Sequence, residues 1–288
     1  MFSALFFAAA ALLISLSVRA ERLSFKIFTT ENGLPQNVIN RVMRDSRGFL
    51  WFSTEDGLSR FDGQVFVNYN IAEGLPHSQV NFALEAGDGA LWLATNGGGI
   101  ARMDVFAQRT NDNPKLFTIF SLTSTANKNS GANRVNFLYQ DRQNTIWAGT
   151  DDGLFRLEKN GDHENFRQVI LKKSTADVSL VVRSITGDSD GNLWIAARNG
   201  GLFRLSRGGR ATHFSIHPTG DYDPVRAVLI DSQNELLVGH EQIGLLKTDV
   251  KSLAAFNKKD DYGMSEIESA VSRFTKSETL AEKPTFSQ

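Results

Sequence analysis

The chain contains no cysteine among its 288 residues. Without a thiol it cannot form a disulfide framework, and it cannot carry the lipid of a lipoprotein anchor. An exported protein without disulfides suits a bacterial periplasm.

An excess of charge is also missing. The chain has 31 Lys and Arg against 32 Asp and Glu, which gives a formal net charge of -1. Proteins that bind nucleic acid carry a basic footprint for the phosphates, and no run of like charges supplies one here. The sequence therefore argues against a nucleic-acid partner.

Long apolar runs are confined to the first twenty residues. Ala4 to Val18 is almost wholly apolar, and small residues precede a cleavage point before Glu21, so residues 1–20 are predicted to be an export signal. The alternative is an uncleaved N-terminal membrane anchor, although Phe2 to Val18 is shorter than the roughly 20 residues that span a bilayer. No later stretch is apolar enough to span, so this chain alone is not expected to pass a signal across a membrane.

Common catalytic and metal-binding motifs are absent from the sequence. It has no G-x-S-x-G, no phosphate-binding glycine loop and no recurrent carboxylate pair. Among the histidines, His213 and His217 lie four apart, but a strand-rich segment would not place them on one helical face. Asp188 to Asn192 resembles a calcium loop but lacks the closing Glu, so it is interpreted as a hairpin turn. The prediction is a protein that is not an enzyme and holds no cofactor and no metal.

A repeat with one tryptophan in each copy runs through most of the chain. Trp51, Trp92, Trp147 and Trp194 each follow an apolar residue, and Leu237 stands at the same position in a fifth copy. The spacings are 41, 55, 47 and 43 residues. Strand-rich periods of about 40 to 50 residues are typical of β-propellers, in which each repeat is one four-stranded sheet.

Each copy also shows how the strands of one blade are connected. In the first copy an Asp-Gly turn, Asp56-Gly57, separates two short aromatic-rich runs, which is a strong hairpin signal. We therefore predict an all-β chain with a propeller of four-stranded antiparallel blades at residues 21–250. Residues 251–288 are predicted to be a polar tail with a short helix that begins near Ser265.

The sequence leaves open how the array of blades ends. The strand-like segment Leu23 to Thr29 would complete the fifth blade and close a five-bladed ring, which removes exposed sheet edges. Alternatively, the five repeats are part of a larger propeller.

One polar position recurs five residues before the turn that leads into the tryptophan strand. It is occupied by Asn40, Asn81, Asn136, Arg183 and Arg226. The preceding residue is apolar in every copy and should pack between sheets, so strand alternation points the polar side chains toward the central channel. These donors would suit a small anion or a hydroxyl-rich ligand, such as a small molecule or an oligosaccharide. The competing interpretation is that they bond to one another and to channel water.

A histidine adds a further candidate ligand contact. His77 follows the segment Gly74-Leu75-Pro76, which repeats Gly33-Leu34-Pro35 of the first copy. Both segments lie in loops that lead into an inner strand, and propeller loops of this kind often carry binding residues.

The motif segments resemble the repeat of two-component regulator propellers, most strongly in the first two copies. They are Glu31-Asn32-Gly33-Leu34-Pro35-Gln36-Asn37-Val38, Asp45-Ser46-Arg47-Gly48-Phe49-Leu50-Trp51-Phe52-Ser53-Thr54 and Gly57-Leu58-Ser59-Arg60-Phe61-Asp62-Gly63. The resemblance implies the periplasmic sensor part of a histidine kinase or diguanylate cyclase. It also implies a membrane-bound signalling partner or a C-terminal output domain outside this chain.

Two other functions remain open at this point. Leu50 to Thr54 and Leu58 to Phe61 also resemble streptogramin lyases, which are seven-bladed propeller enzymes. A histidine and acidic residues converging on one pocket would favour that function. The other alternative is a scaffold that binds proteins through its rim, which a flat apolar rim would favour.

Overall fold

The tryptophan of each repeat lies on the second strand of its own antiparallel sheet. The computed structural model describes residues 25–105, 116–122, 131–171, 180–216 and 223–254. Within these residues the chain forms four four-stranded sheets and one three-stranded sheet, each made of consecutive strands. The predicted all-β, propeller-type architecture is confirmed.

The strands follow one another in chain order. The first sheet contains β1 (Ile39–Arg44), β2 (Leu50–Thr54), β3 (Gly57–Phe61) and β4 (Phe66–Tyr69). The second contains β5 (Val80–Glu85), β6 (Leu91–Thr95), β7 (Ile100–Met103) and β8 (Phe117–Phe120). The third contains β9 (Val135–Gln140), β10 (Ile146–Thr150), β11 (Gly153–Asn160) and β12 (His163–Val169). The fourth contains β13 (Val182–Gly187), β14 (Leu193–Ala197), β15 (Gly201–Leu205) and β16 (Ala211–Phe214). The fifth contains β17 (Val225–Ile230), β18 (Glu235–His240) and β19 (Gly244–Asp249), and the helix α1 (Val250–Ala254) follows it.

The loops that lead into the first two inner strands share one local structure. Short 3₁₀ turns at Thr30–Asn32 and Ile71–Glu73 end at Gly33 and Gly74, whose φ angles are 105° and 101°. Glycine adopts this left-handed conformation without steric cost. The leucine that follows each glycine is buried, so the Gly-Leu-Pro segments anchor the loops beside the sheets.

The core lies between the sheets rather than within any one of them. Four clusters of buried apolar side chains are present, and each joins two consecutive sheets. The first strands of consecutive sheets also lie side by side, β1 against β5, β5 against β9, β9 against β13 and β13 against β17. This arrangement is a stack of blades that turns about the inner strands, as a propeller requires.

The predicted completion of the fifth blade by the N-terminal strand is not observed. Residues 25–29 belong to no strand, while Leu23 and Ser24 lie outside the described residues. Phe28 packs edge-on against Phe61 and Phe66, with ring centroids 5.2 and 5.7 Å apart, so this segment contacts the first blade. The predicted helix near Ser265 and the proposed export signal lie outside the described residues.

Candidate ligand-binding site

The five polar residues predicted to face the channel share an unusual backbone position. In every sheet the register between the first and second strands shifts at this residue, so that it is the extra residue of a β-bulge. The bulges lie at Asn40, Asn81, Asn136, Arg183 and Arg226. A bulge redirects a side chain, and strand alternation alone therefore does not determine where these groups point.

The three asparagines at the bulges link neighbouring blades. The Nδ2 groups of Asn40, Asn81 and Asn136 donate to the backbone carbonyls of Val80, Val135 and Val182, at 2.9, 2.7 and 3.1 Å. Each acceptor is the first residue of the next inner strand. The asparagines thus have a structural role, in keeping with the alternative that such groups are satisfied within the protein.

The bulge arginines instead meet charged residues on the hairpin turns after the second strands. These turns lie beside the starts of the inner strands, because Asp151, Arg198 and Glu241 donate their backbone N–H groups to the carbonyls of Arg134, Val181 and Pro224. We name Arg134, Arg183, Arg198, Arg226, Asp151 and Glu241 the arginine cluster.

Within the arginine cluster, Asp151 accepts hydrogen bonds from its own blade and forms an ion pair with Arg183 of the next blade. Its carboxylate accepts from Arg134 Nε at 2.7 Å and from Asn136 Nδ2 at 3.0 Å. Arg183 Nη1 donates to Asn136 Oδ1 at 2.7 Å, and Arg183 Nη2 lies 3.7 Å from Asp151 Oδ1. Burial raises the pKa of Asp151, but these neighbours outweigh burial and the net pKa lies below its ordinary value. Asp151 is therefore held as a carboxylate.

Positive charge remains in excess on the other side of the arginine cluster. Arg226 pairs with Glu241, with Nε and Nη2 at 3.0 and 2.9 Å from Oε2. Burial lowers the pKa of Arg183, and repulsion from Arg198 and Arg226 adds to this against the attraction of Asp151. The Nε atom of Arg183 is buried without a hydrogen-bond partner in the described part of the chain. Four guanidinium groups against two carboxylates leave a surplus of donors suited to an anion.

His77 lies in the loop before β5, beside a turn whose Asn96 forms a β-bridge with Arg134 of the arginine cluster. Its Nδ1 accepts from the backbone N–H of Gln79 at 3.0 Å, and Gln79 Oε1 accepts from Asn96 Nδ2 at 2.6 Å. The ring packs against Gly97, where an added Cβ would lie 3.2 Å from it. The described contacts of His77 are thus with its own loop and the neighbouring turn.

A histidine and a carboxylate are paired elsewhere, in the interior. His240 Nε2 and Asp223 Oδ1 are 2.9 Å apart, and their side chains are 0% and 1% exposed. His240 Nδ1 accepts the backbone N–H groups of Gln242 and Ile243 at 3.2 Å, which makes Nε2 the donor to Asp223. The described contacts of this pair hold the hairpin turn that contains Gln242 and Ile243 in place.

The sequence-based prediction of the site named Asn136, Arg183 and Arg226 but not the turn residues Asp151 and Glu241 that contact them. The sequence does contain a feature that points to these turn residues. The turn after the second strand carries charged residues in the first copy as well, Glu55 and Asp56. Across the described ranges, no group of three or more His, Asp or Glu side chains is arranged to hold a metal ion. No described helix has the length and hydropathy needed to cross a bilayer.

Comparison with known proteins identifies the repeat. The family described as two component regulator propeller matches residues 33–56, 129–152 and 178–199, which lie in the first, third and fourth blades. The second copy lies outside these matches, although its Gly-Leu-Pro segment resembles the first. It departs from the repeat at Ala86, where the other copies have Asp45, Asp141, Asp188 and Asp231.

Individual proteins extend the similarity beyond the matched segments. A protein named histidine kinase P4 from Formosa agariphila is 30% identical over 239 residues, which is 67% of this chain and 17% of that protein. The extracellular domain of a protein described as a hybrid two component system from B. thetaiotaomicron is 25% identical, with a TM-score of 0.61. That match covers 79% of this chain and 30% of the other, so the chain spans less than a third of either protein.

A virginiamycin B lyase from Staphylococcus aureus shares the fold. It is 18% identical with a TM-score of 0.54, and the match covers 76% of this chain and 72% of the lyase. At this identity the likeness extends to the fold alone. The closer sequence matches are to signalling proteins, and the chain is a sensor-like propeller that carries the two-component regulator propeller repeat.

Proposed function

We propose that this chain is a ligand-binding sensor propeller that acts outside the cytoplasm and binds its ligand without changing it chemically. The ligand is a small molecule or oligosaccharide that carries an anionic group. The observation that carries the proposal is the surplus of guanidinium donors in the arginine cluster, where Arg183 Nε is buried without a hydrogen-bond partner in the described part of the chain. An anionic group placed there would accept from these donors.

The cellular setting of the proposal comes from the sequence and the relatives. Residues 1–20 would direct export to the periplasm, and one structural relative is itself an extracellular domain of a signalling system. A membrane-bound signalling partner or an output domain would receive the signal. The propeller would then be the part of the system that detects the ligand.

A matched pair of sugars tests the ligand and its charge. Glucuronate and glucose present similar hydroxyl groups, but glucuronate alone carries a carboxylate. We expect isothermal titration calorimetry of the full chain to detect glucuronate at millimolar concentrations and to show binding of glucose at least tenfold weaker. Equal binding of both sugars, or binding of neither, would refute an anion-dependent site for this ligand class.

Arg198 is the residue to remove in this test. No hydrogen bond or ion pair of its side chain is present in the described residues, so Arg198→Ala should leave the fold intact. We expect the variant to bind glucuronate at least fivefold more weakly, since it loses one guanidinium donor. Arg207→Ala, which removes an exposed arginine from the turn between β15 and β16, changes the net charge equally and is the control. Equal weakening in both variants would point to a general charge effect and exclude the arginine cluster as the site.

A further inference from the structure

In three of the blades an aromatic residue of the fourth strand packs on the tryptophan of the same blade. This residue pairs in register with the apolar residue near the start of the third strand, as Tyr69 does with Leu58. The three pairs of rings are Tyr69 with Trp51, Phe120 with Trp92 and Phe214 with Trp194, with centroids 5.9, 5.3 and 5.6 Å apart. An aromatic ring therefore covers the indole in the first, second and fourth blades.

The third blade lacks this ring. Val169 occupies the position, since it pairs with Leu154 just as Tyr69 pairs with Leu58. Among the described residues, the ring contact of Trp147 is with the guanidinium of Arg156, whose Cζ lies 5.9 Å from the ring centroid. Valine is much smaller than phenylalanine or tyrosine, so the space beside the indole is only partly filled.

A cavity of about 440 Å³ lies at this place, between the third and fourth blades. Its apolar wall has two residues from each blade, Trp147, Val169, Leu193 and Leu205. Polar residues of the adjoining turns also line it, among them the exposed Gln143 and the half-buried Ser206. Small-molecule sites commonly have volumes of about 300 to 1,000 Å³ and combine a mostly apolar wall with a few polar groups.

The cavity is separate from the arginine cluster. It adjoins the turn after β9, whereas the arginine cluster lies beside the start of that strand. The carboxylate that lines the cavity, Asp141, is already satisfied, because Oδ2 accepts from Trp147 Nε1 and Oδ1 accepts the backbone N–H groups of Gln143 and Thr145. The cavity therefore offers a ligand the indole of Trp147 and apolar side chains rather than a free carboxylate.

We propose that this cavity binds a small planar aromatic compound that carries a polar substituent, such as a phenol. The ring would stack on Trp147 in the place that an aromatic side chain takes in the other blades. Apolar cavities of about 150 Å³ already bind benzene, so the available volume is sufficient. The substituent would lie toward Gln143 and Ser206, whose side chains can form hydrogen bonds with it. Such a ligand would contact the third and fourth blades at once.

Two probes of the same size test the preference for an aromatic ring. The compound p-cresol has the ring and hydroxyl of a tyrosine side chain, and 4-methylcyclohexanol is its saturated counterpart. Titrations of the full chain would follow the four indole N–H signals by nuclear magnetic resonance, with Trp147→Phe used to assign the signal of Trp147. We expect p-cresol to shift the Trp147 signal at millimolar concentrations, with a dissociation constant about fivefold lower than that of 4-methylcyclohexanol, as one stacking contact would give.

A substitution in the chain itself tests where the probe binds. Val169→Phe places a ring where the ring of p-cresol would lie, and it should weaken binding by about tenfold or more, since the two rings would compete for one space. Val169→Ala keeps the cavity open, and this control should bind p-cresol as the wild type does. No shift of the Trp147 signal in the wild type, equal affinity for both probes, or unchanged binding in Val169→Phe would each overturn the proposal. The comparison of the two probes needs only the wild-type chain, so it decides the question even if Val169→Phe does not fold.

Discussion

The indole of Trp51 donates its Nε1–H to Asp45 Oδ2 at 3.0 Å, and this bond joins the second strand of the first blade to the turn that precedes it. The other oxygen, Oδ1, accepts the backbone N–H groups of Arg47 and Phe49. The third and fourth blades repeat the contact, with Trp147 bonded to Asp141 at 2.8 Å and Trp194 to Asp188 at 3.0 Å. One carboxylate thus fixes both a turn and a core indole, as expected for buried polar groups.

Removing the carboxylate should therefore destabilise the first blade. Asp45→Ala leaves the buried indole N–H of Trp51 without an acceptor and also frees the turn. We expect a loss of about 2 to 3 kcal/mol in the free energy of unfolding, measured by urea denaturation. A loss below about 0.5 kcal/mol would show that the bond contributes little.

The second blade offers the reverse experiment. Trp92 Nε1 is buried and has no hydrogen-bond partner in the described residues, because Ala86 occupies the aspartate position. The turn has the same backbone geometry, with Ala86 N–H donating to Ala90 C=O at 2.9 Å as Asp45 donates to Phe49. Ala86→Asp should therefore stabilise the chain by about 1 kcal/mol.

The control for this gain in stability is a variant that lacks the indole N–H, Trp92→Phe. In a Trp92→Phe background no N–H is available, and Ala86→Asp should no longer stabilise the chain through it. The coupling energy of the double-mutant cycle measures the new bond. An equal gain in both backgrounds would assign the effect to the turn alone.

The Asp45 carboxyl should also make stability depend on pH. Burial raises the pKa of this group, but the hydrogen bonds from Trp51, Arg47 and Phe49 outweigh burial, so the net pKa lies below its ordinary value. The stabilisation is complete above the unfolded pKa of about 3.9 and is lost as the pH falls through the folded pKa. The urea concentration at the unfolding midpoint should decrease as the pH is lowered from about 5 to about 2.

Asp45→Asn separates this contribution from that of the other carboxylates. The variant should be less stable than the wild type near neutral pH but should lose less stability on acidification, since residue 45 no longer titrates. Parallel pH profiles for the two proteins would contradict the role of Asp45.

The spacing between blades predicts the effect of a single methyl group. A Cβ added to Gly149 on β10 would lie 2.6 Å from Val182 Cγ1 of the next blade. Gly239 occupies the same repeat position in the fifth blade, where an added Cβ would lie 3.4 Å from Ala227. Gly149→Ala should cost about 1 to 3 kcal/mol through overpacking, while Gly239→Ala should be nearly neutral. Equal effects in thermal unfolding would show that the blades do not press together at Val182.

Much of the blade structure follows from local sequence. The Asp-Gly turn at Asp56-Gly57 and the aromatic-rich runs on either side of it predict a hairpin, because turn chemistry and strand propensity act over a few residues. The repeat spacing then predicts a propeller, since a single small sheet cannot bury its faces and must stack on its neighbours. Asp188 to Asn192 was likewise correctly interpreted as a hairpin turn, with Asp188 Oδ1 accepting the N–H of Asn192 at 2.8 Å.

The sequence alone determined the strands, the turns and the repeat, because these depend on residues close together in the chain. The tertiary structure alone decided the direction of Asn81, which lies in a bulge and bonds to Val135 in the next blade. It also brought Arg183 to Asp151. Each of these outcomes depends on how one sheet stacks on another, and no local pattern of residues encodes the spacing and orientation of neighbouring sheets.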